Sequence, residues 1–382
     1  MKKITVFLLT FIILIPHLKI EASAENEPNV SAKGAVLISA DTGETVYSKN
    51  SSEKLPMAST TKIMTTLLLI ESGNLNEPFV VDSEAIKVEG SSMGLVEGDI
   101  VTKYDLCCGM LLPSGNDAAN ASAVCVSGDA VKFAERMNER AAEIGMENSF
   151  FVTPSGLDAK GHGASAYDMA LLAREALLNE TFREICSKQT AKVCFGNPPY
   201  ERYLKNTNKL LSMYNGVYGV KTGFTDEAGR CLVSACERDG KKLICVTLND
   251  RNDWNDHIAM YDYGFDKVKM VSPQTNGGYE ADIVGGECEK ITLKADNIPD
   301  ICTLSDTGGD FEYVVKIPPF LYAPIENGEK CGELEVLCDG KKVCGIPLIS
   351  TEKFEKKKTP KKEKTKFQKL KSKFVKILKQ EK

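Results

Sequence analysis

Residues 217–249 read VYGVKTGFTDEAGRCLVSACERDGKKLICVTLN. Three short runs in this stretch, Val217 to Lys221, Arg230 to Glu237 and Lys241 to Asn249, have the alternation of half-buried strands. The last two are joined by Asp239-Gly240, a pair that suits a tight hairpin turn because glycine takes positive φ without strain. Near the other end of the chain, Gly34-Ala-Val-Leu-Ile-Ser39 and Glu44-Thr-Val-Tyr47 flank Asp41-Thr-Gly43, a second hairpin signal. Between the two sets the apolar period becomes helical. A helix is expected from about Ser59 to Ser72, with Ile63, Met64, Leu67, Leu68 and Ile70 apolar and Gly73 placed as a C-terminal cap. Further helices are expected over residues 103–112, 116–127, 129–144, 167–179 and 253–263. Helices on an antiparallel sheet whose strands come from both ends of the segment make an α+β domain.

Outward from this core the pattern changes. From about 272 to 350 the helical period disappears and short apolar stretches alternate with turns such as Asn276-Gly-Gly278, Gly308-Gly309 and Asp339-Gly340, the signature of a small all-β module. At the N-terminus Lys2 and Lys3 precede the apolar run Ile4 to Ile15, and Ala22-Ser23-Ala24 is a small-x-small cleavage site. A membrane anchor needs roughly 20 apolar residues, and this run is broken by Pro16, His17 and Lys19, so a secretory signal is expected. The division is then a signal peptide at 1–24, an α+β domain at 25–270, a β-rich domain at 271–350 and a basic tail at 351–382.

Charge separates the parts. The chain carries a net −5, but residues 352–382 carry +10 and the signal +2, which leaves −17 on residues 25–351. In the tail Phe367, Leu370, Phe374 and Ile377 recur at spacings of three and four among lysines, an apolar stripe on a cationic helix suited to an anionic membrane surface. A disordered lysine-rich tail or a wall-polymer binder is the alternative. The thirteen cysteines show no CxxC spacing. Cys107, Cys108, Cys125, Cys231, Cys236 and Cys245 lie in apolar runs and read as buried free thiols in preference to a disulfide framework. With only His17, His162 and His257 present, no histidine metal site is expected; no cofactor and no nucleic-acid partner are expected either.

Three short motifs carry the chemistry. Ser59-Thr-Thr-Lys62 opens a helix, where a spacing of three puts hydroxyl and amine on one face, and burial or a second cation can lower the amine's pKa until it accepts the serine proton. Ser114-Gly-Asn116 follows Leu111-Leu-Pro113 between two helices and presents a proton relay and an amide. Lys221-Thr-Gly223 ends a strand, where lysine and threonine can hold a carboxylate and glycine lets a ligand lie along the strand edge. Each alone is a common helix cap or surface pattern.

Together, in this order, they resemble the penicillin-recognising serine enzymes, whose signature is S-x-x-K, S-x-N and K-T-G. Ala58-Ser-Thr-Thr-Lys-Ile-Met-Thr65, Pro113-Ser-Gly-Asn-Asp-Ala118, Pro154-Ser-Gly-Leu-Asp158, Asn206-Thr-Asn208 and Val220-Lys-Thr-Gly-Phe-Thr-Asp-Glu-Ala-Gly229 narrow the resemblance to the D-alanyl-D-alanine carboxypeptidases, over about residues 30–266. It implies a penicillin-binding-protein/β-lactamase-like domain followed by a small all-β domain and an amphipathic C-terminal helix. It further implies an exported enzyme at the outer face of the cytoplasmic membrane or in the cell wall, acting on peptidoglycan stems ending in D-Ala-D-Ala and inhibited covalently by β-lactams. Ser59 is then the nucleophile, Lys62 the base, Ser114 the relay and Asn116 the orienting amide. Lys221 and Thr222 bind the terminal carboxylate beside Gly223, and the N–H groups of Ser59 and Phe224 form the oxyanion hole.

The sequence departs from the pattern in places. Phe224 stands where several relatives carry His, His162 reads as structural, and Arg251 does not align with an arginine that some relatives use, which leaves the carboxylate to Lys221 and Thr222. Two rival readings stand beside this one. A class A-like β-lactamase would need a carboxylate-held water, for which Asp158 and Asp168 are candidates, although Asp168 better fits the first turn of a helix. A wall-binding scaffold with a decayed site would be expected to have lost the serine or the lysine.

Overall fold

Every residue of Gly34–Ser39 (β1) is buried, whereas an antiparallel strand with one wet face would alternate. The cause is helix on both sides of the sheet: Val36 and Ile38 enter one core with the central helices, while Ala35 and Leu37 enter another with Met260, Tyr261 and Phe265. The structure, a computed structural model, describes residues 27–275, 277–306, 311–338 and 340–357. The expected signal peptide and the tail stripe at Phe367 to Ile377 lie outside the described residues, as do Asn276, Gly308, Gly309 and Asp339 of the expected turns.

Along the chain, β1 is followed by Thr45–Lys49 (β2), a 3-10 turn at Ala58–Thr61, and Lys62–Glu71 (α1). Phe79–Val80 (β3) and Ile100–Val101 (β4) bracket a long loop, after which come Lys103–Leu111 (α2), Asn116–Ser127 (α3), Ala130–Ile144 (α4), Ala166–Leu178 (α5) and Glu180–Cys186 (α6). A hairpin of Thr190–Gly196 (β5) and Pro199–Lys205 (β6) and the short Leu210–Met213 (α7) lead into Val217–Thr225 (β7), Gly229–Arg238 (β8), Lys241–Leu248 (β9) and Asp253–Lys267 (α8). The sheet is antiparallel in the order β2-β1-β9-β8-β7, which makes β7 an edge. Helix α5 packs on one face, α8 on the other.

Helix starts follow local chemistry. Thr102 and Asp105 form a reciprocal capping box at α2, and Asp129 and Ser165 accept from backbone N–H groups at α4 and α5. Three details differ from the sequence reading. The nucleophile segment is a 3-10 turn and the α-helix begins only at Lys62. Strand β7 runs on through the glycine to Thr225, because the hairpin with β8 turns later, with Thr225 opposite Gly229. The β5–β6 hairpin and α6 are absent from the sequence reading: β5 alternates in burial but its partner β6 is almost wholly exposed, and α6 is only seven residues long.

Beyond α8 the chain forms Val268–Val271 (β10), Tyr279–Val284 (β11), Lys290–Ala295 (β12), Ile301–Leu304 (β13), Phe311–Lys316 (β14), Leu321–Tyr322 (β15), Lys330–Cys338 (β16) and Lys341–Ser350 (β17). Six of these make a sheet in the order β14-β16-β17-β12-β11-β15, with its own core around Leu293, Leu334, Val336 and Leu348. This separate all-β domain is tied to the first by Ser39 Oγ donating to Cys302 O and by Cys302 N donating to Asp41 Oδ2. Cys107, Cys108, Cys231, Cys236 and Cys245 are buried free thiols, whereas Cys125 is only half-buried at the end of α3.

Candidate active site

A cleft of about 880 Å³ opens beside the edge strand β7 and is lined by Ser59, Ser114, Thr222, Gly223 and Phe224 together with loop and hairpin residues. The three sequence motifs, up to 164 residues apart from Ser59 to Gly223, meet on its wall.

Ser59 is set up by its own turn. Ala58 has φ +48° and the hydroxyls of Thr60 and Thr61 donate to the carbonyls of Met57 and Ala58, so the turn is stapled to itself. Gly156 supports it from outside: with φ +85°, it sits so close that an added Cβ would lie 1.9 Å from Ala58 O. Gly223 approaches from the sheet, where a Cβ would come within 3.0 Å of Ser59 N. The glycine before Phe224 therefore packs directly against the backbone of the nucleophile turn.

Lys62 Nζ is completely buried and lies 2.8 Å from Ser59 Oγ, 2.7 Å from Asn116 Oδ1 and 2.6 Å from Ser155 O. Burial, and then the nearby Lys221 charge, drive its pKa well below the ordinary lysine value, with Asp117 opposing. A neutral amine has two N–H donors and one lone pair. In that uncharged form, with Asn116 Oδ1 and Ser155 O accepting the two N–H groups, the lone pair is left facing the serine hydroxyl. Asn116 cannot turn its amide round, because Nδ2 donates to Glu89 O at 2.7 Å. The adjacent Asp117 accepts from Ser92 Oγ and the N–H groups of Met93, Gly94 and Leu95, and so holds the loop that forms the facing wall.

Ser114, at φ +67°, lines the cleft from the α2–α3 loop. Lys221 is buried behind the strand, donates to Thr222 O at 2.8 Å, and has its pKa pushed down to about 7 by desolvation. Thr222 Oγ1 faces the cleft and shares a 2.7 Å hydrogen bond with Thr207 Oγ1, so the Asn206-Thr-Asn208 segment is fastened to β7. Asn208 completes the fastening by donating to Gly219 O. The Phe224 ring is 63% exposed on the rim.

Lys205, Lys209 and Arg230 are the cations among the residues lining the cleft, and sequence reasoning missed all three. Arg230 stands opposite Phe224 in the β7–β8 register, donates to both carboxylate oxygens of Asp253 at 2.8 and 2.9 Å, and lies over the Trp254 ring. The hairpin register was the signal that could have found it. Arg251 is exposed and is not among the residues lining the cleft. His162 is structural: Nδ1 accepts from Val152 N and Nε2 shares a 2.9 Å hydrogen bond with Thr61 Oγ1, so it buttresses the nucleophile turn. Asp168 sits in the first turn of α5 and accepts from Asn148 N and Ser149 Oγ, and Asp158 accepts from Thr225 Oγ1.

Comparison with known proteins places this geometry. The family model described as D-alanyl-D-alanine carboxypeptidase matches residues 21–252. The chain belongs to the D-alanyl-D-alanine carboxypeptidase family. A second model, described as the penicillin-binding protein 5 C-terminal domain, matches residues 265–356 of this carboxypeptidase-family chain. The D-alanyl-D-alanine carboxypeptidase DacF of Bacillus subtilis is 32% identical over 343 residues, covering 85% of this chain and 86% of that one. DacC of Escherichia coli is 29% identical, covering 86% and 85%. The crystal structure of the Streptomyces K15 DD-transpeptidase superposes with a TM-score of 0.60 at 30% identity, covering 63% of this chain and 99% of that one. The carboxypeptidase DacD of Francisella tularensis gives 0.59 at 26% identity, covering 87% and 95%. The chain is accordingly a serine D,D-carboxypeptidase of this family.

Proposed function

We propose that this carboxypeptidase removes the terminal D-alanine from peptidoglycan stem peptides through an acyl-enzyme on Ser59, and that penicillin acylates the same hydroxyl. The observation that carries the proposal is the buried Lys62 Nζ, held within hydrogen-bond distance of Ser59 Oγ by Asn116 Oδ1 and Ser155 O.

In the first step Ser59 Oγ bonds to the carbonyl carbon between the two D-alanines and its proton passes to Lys62. The developing oxyanion is received by the N–H groups of Ser59 and Phe224, the second of which follows the Gly223 that packs against Ser59 N. The C–N bond then breaks, and the departing amine takes a proton relayed from Lys62 through Ser114. Water attacks the ester, Ser59 recovers its proton, and the shortened peptide leaves. The terminal carboxylate is received by Thr222 and Arg230 on the cleft wall, with the buried Lys221 adding its field from behind the strand. This reading assigns the direct charge contact to Arg230, which is oriented by Asp253.

The setting follows from the ends of the chain. A signal cleaved after Ala24 exports the enzyme, and the lysine-rich tail holds it to the outer face of the cytoplasmic membrane, in the service of wall biogenesis. The test uses a labelled penicillin and a peptide ending in D-Ala-D-Ala, with Ser59→Ala alongside. Lasting label, release of D-alanine and loss of both in the variant are expected. Rapid penicillin turnover without D-alanine release would make the chain a β-lactamase, and an absence of labelling would leave a wall-binding scaffold.

A further inference from the structure

The β15 edge of the all-β domain's sheet carries an apolar patch that the catalytic reading does not use. Strand β15 runs parallel to β11, with Ile283 opposite Leu321 and Val284 opposite Tyr322. Because side chains alternate across a sheet, Ile283 is buried in the domain core while Val284 and Tyr322 point outward, at 48% and 67% exposure. Phe320 joins them, its ring edge-on to Tyr322 at 5.5 Å.

The described chain ends at this same place. Lys356 bridges to Gly286, and Lys357 N donates to Gly285 O at 2.8 Å, one residue from Val284. The last described residue, Lys357, thus stands beside the patch, and residues 358–382 that follow it in sequence carry eleven lysines against two glutamates. The turn next to the patch also bears Glu287 and Glu289, so attraction to an anionic surface comes from the segment that follows Lys357 and not from the domain itself. Among the described residues no helix is long and apolar enough to cross a membrane.

We propose that Val284, Phe320 and Tyr322 form a second membrane contact, entering the interfacial layer of an anionic bilayer beside the point where the basic tail departs. The inference rests on the reading of residues 351–382 as a membrane tail and adds to it a face of the folded domain. Tyr322, an apolar ring with a polar hydroxyl, suits the headgroup level, Phe320 and Val284 add apolar area to bury there, and lysines are drawn to acidic lipid. Three fixed side chains beside a tethering tail meet the bilayer at the tail's own high local concentration. With both contacts made, the β domain is held at a defined angle, and the cleft of the first domain with it.

The experiment compares the full chain with a Phe320→Ser/Tyr322→Ser variant and with Leu178→Ser, an exposed apolar control in the first domain. Partitioning is measured on vesicles of phosphatidylglycerol and phosphatidylcholine, and on phosphatidylcholine alone. The double variant should bind the acidic vesicles about 10-fold more weakly, with penicillin labelling unchanged. Leu178→Ser should bind as the parent does. A Tyr322→Trp variant should show tryptophan fluorescence quenched by brominated lipid beyond any quenching of the native Trp254. If the parent fails to bind acidic vesicles, the tail reading falls and this proposal with it. If the parent binds, the double variant binds equally and Tyr322→Trp is not quenched, the proposal alone is overturned. A loss of self-association in the double variant without a change in vesicle binding would also overturn it, by assigning the patch to a second copy.

Discussion

Lys62 Nζ stands 2.8 Å from Ser59 Oγ, and the other hydrogen-bonding directions of the amine are taken by Asn116 Oδ1 and Ser155 O. The pair works as a base and nucleophile only while the amine is uncharged. An arginine in place of Lys62 keeps a permanent charge and has no lone pair to offer. Lys62→Arg is therefore expected to lower the rate of penicillin acylation by about 10²- to 10⁴-fold, measured by stopped labelling, while circular dichroism shows a folded chain.

The acylation rate should depend on pH through the same amine. Because the neutral form is the base, the rate rises with pH through the lowered Lys62 pKa. Burial is the main cause of the lowering and the Lys221 charge the second. Removing that charge in Lys221→Met raises the Lys62 pKa, so the rising limb moves to higher pH. Unmoved limbs would show that Lys221 has no electrostatic part in the activation of Ser59.

Arg230 should separate substrates by their terminal charge. A charge-assisted hydrogen bond is worth about 1.5–3 kcal/mol, so Arg230→Gln is expected to reduce kcat/KM for a D-Ala-D-Ala peptide by roughly 10- to 100-fold. A peptide whose terminal carboxylate is amidated should lose little on the same substitution. Asp253→Asn, which removes the partner that orients the guanidinium, should shift activity in the same direction by less.

Gly156→Ala tests the support of the nucleophile turn. The new methyl would collide with Ala58 O, and the backbone there has positive φ, so destabilisation of about 1–3 kcal/mol is expected. The loss should appear as a lower Tm together with slower acylation, because the atom displaced belongs to the turn that carries Ser59.

Two buried imidazoles make stability fall in acid. Desolvation depresses His162 to about 4 and His257 to about 3 from an ordinary 6.5. Below about pH 6.5 the unfolded chain binds protons that the folded chain refuses. The stability these groups confer is thus complete above that pH and is lost as pH drops toward the folded values, at about 1.4 kcal/mol per pH unit for each histidine. Urea midpoints at pH 7 and pH 4.5 should differ less in His257→Gln, which has no imidazole between Ser234 and Thr247 to protonate.

Local rules decided a good part of this protein. Periodicity 2 in residues 217–249 and periodicity 3.6 in the middle of the chain produced the α+β class, because side-chain direction repeats with the backbone whatever the surroundings. Glycine and capping residues set element ends such as Gly145 after α4, for the same local reason. The three motifs were legible as chemistry because reactive residue types at short spacing share a face.

Tertiary structure decided what those residues can do. Nothing near Lys62 in sequence makes it a base: its burial, the second lysine at position 221 and the carbonyl of Ser155 come from distant segments, and electrostatic free energy depends on distance and desolvation, not on chain order. Arg230 reads as an outward strand residue until the hairpin register sets it opposite Phe224 and α8 brings Asp253 to hold it. Gly156 and Gly223 read as turn and strand glycines, yet at Gly156 the backbone of Ala58 comes too close for a Cβ, and at Gly223 the backbone of Ser59 comes as close as 3.0 Å to where one would stand. Packing in three dimensions decides such approaches, and they separate a serine three residues before a lysine from an active site.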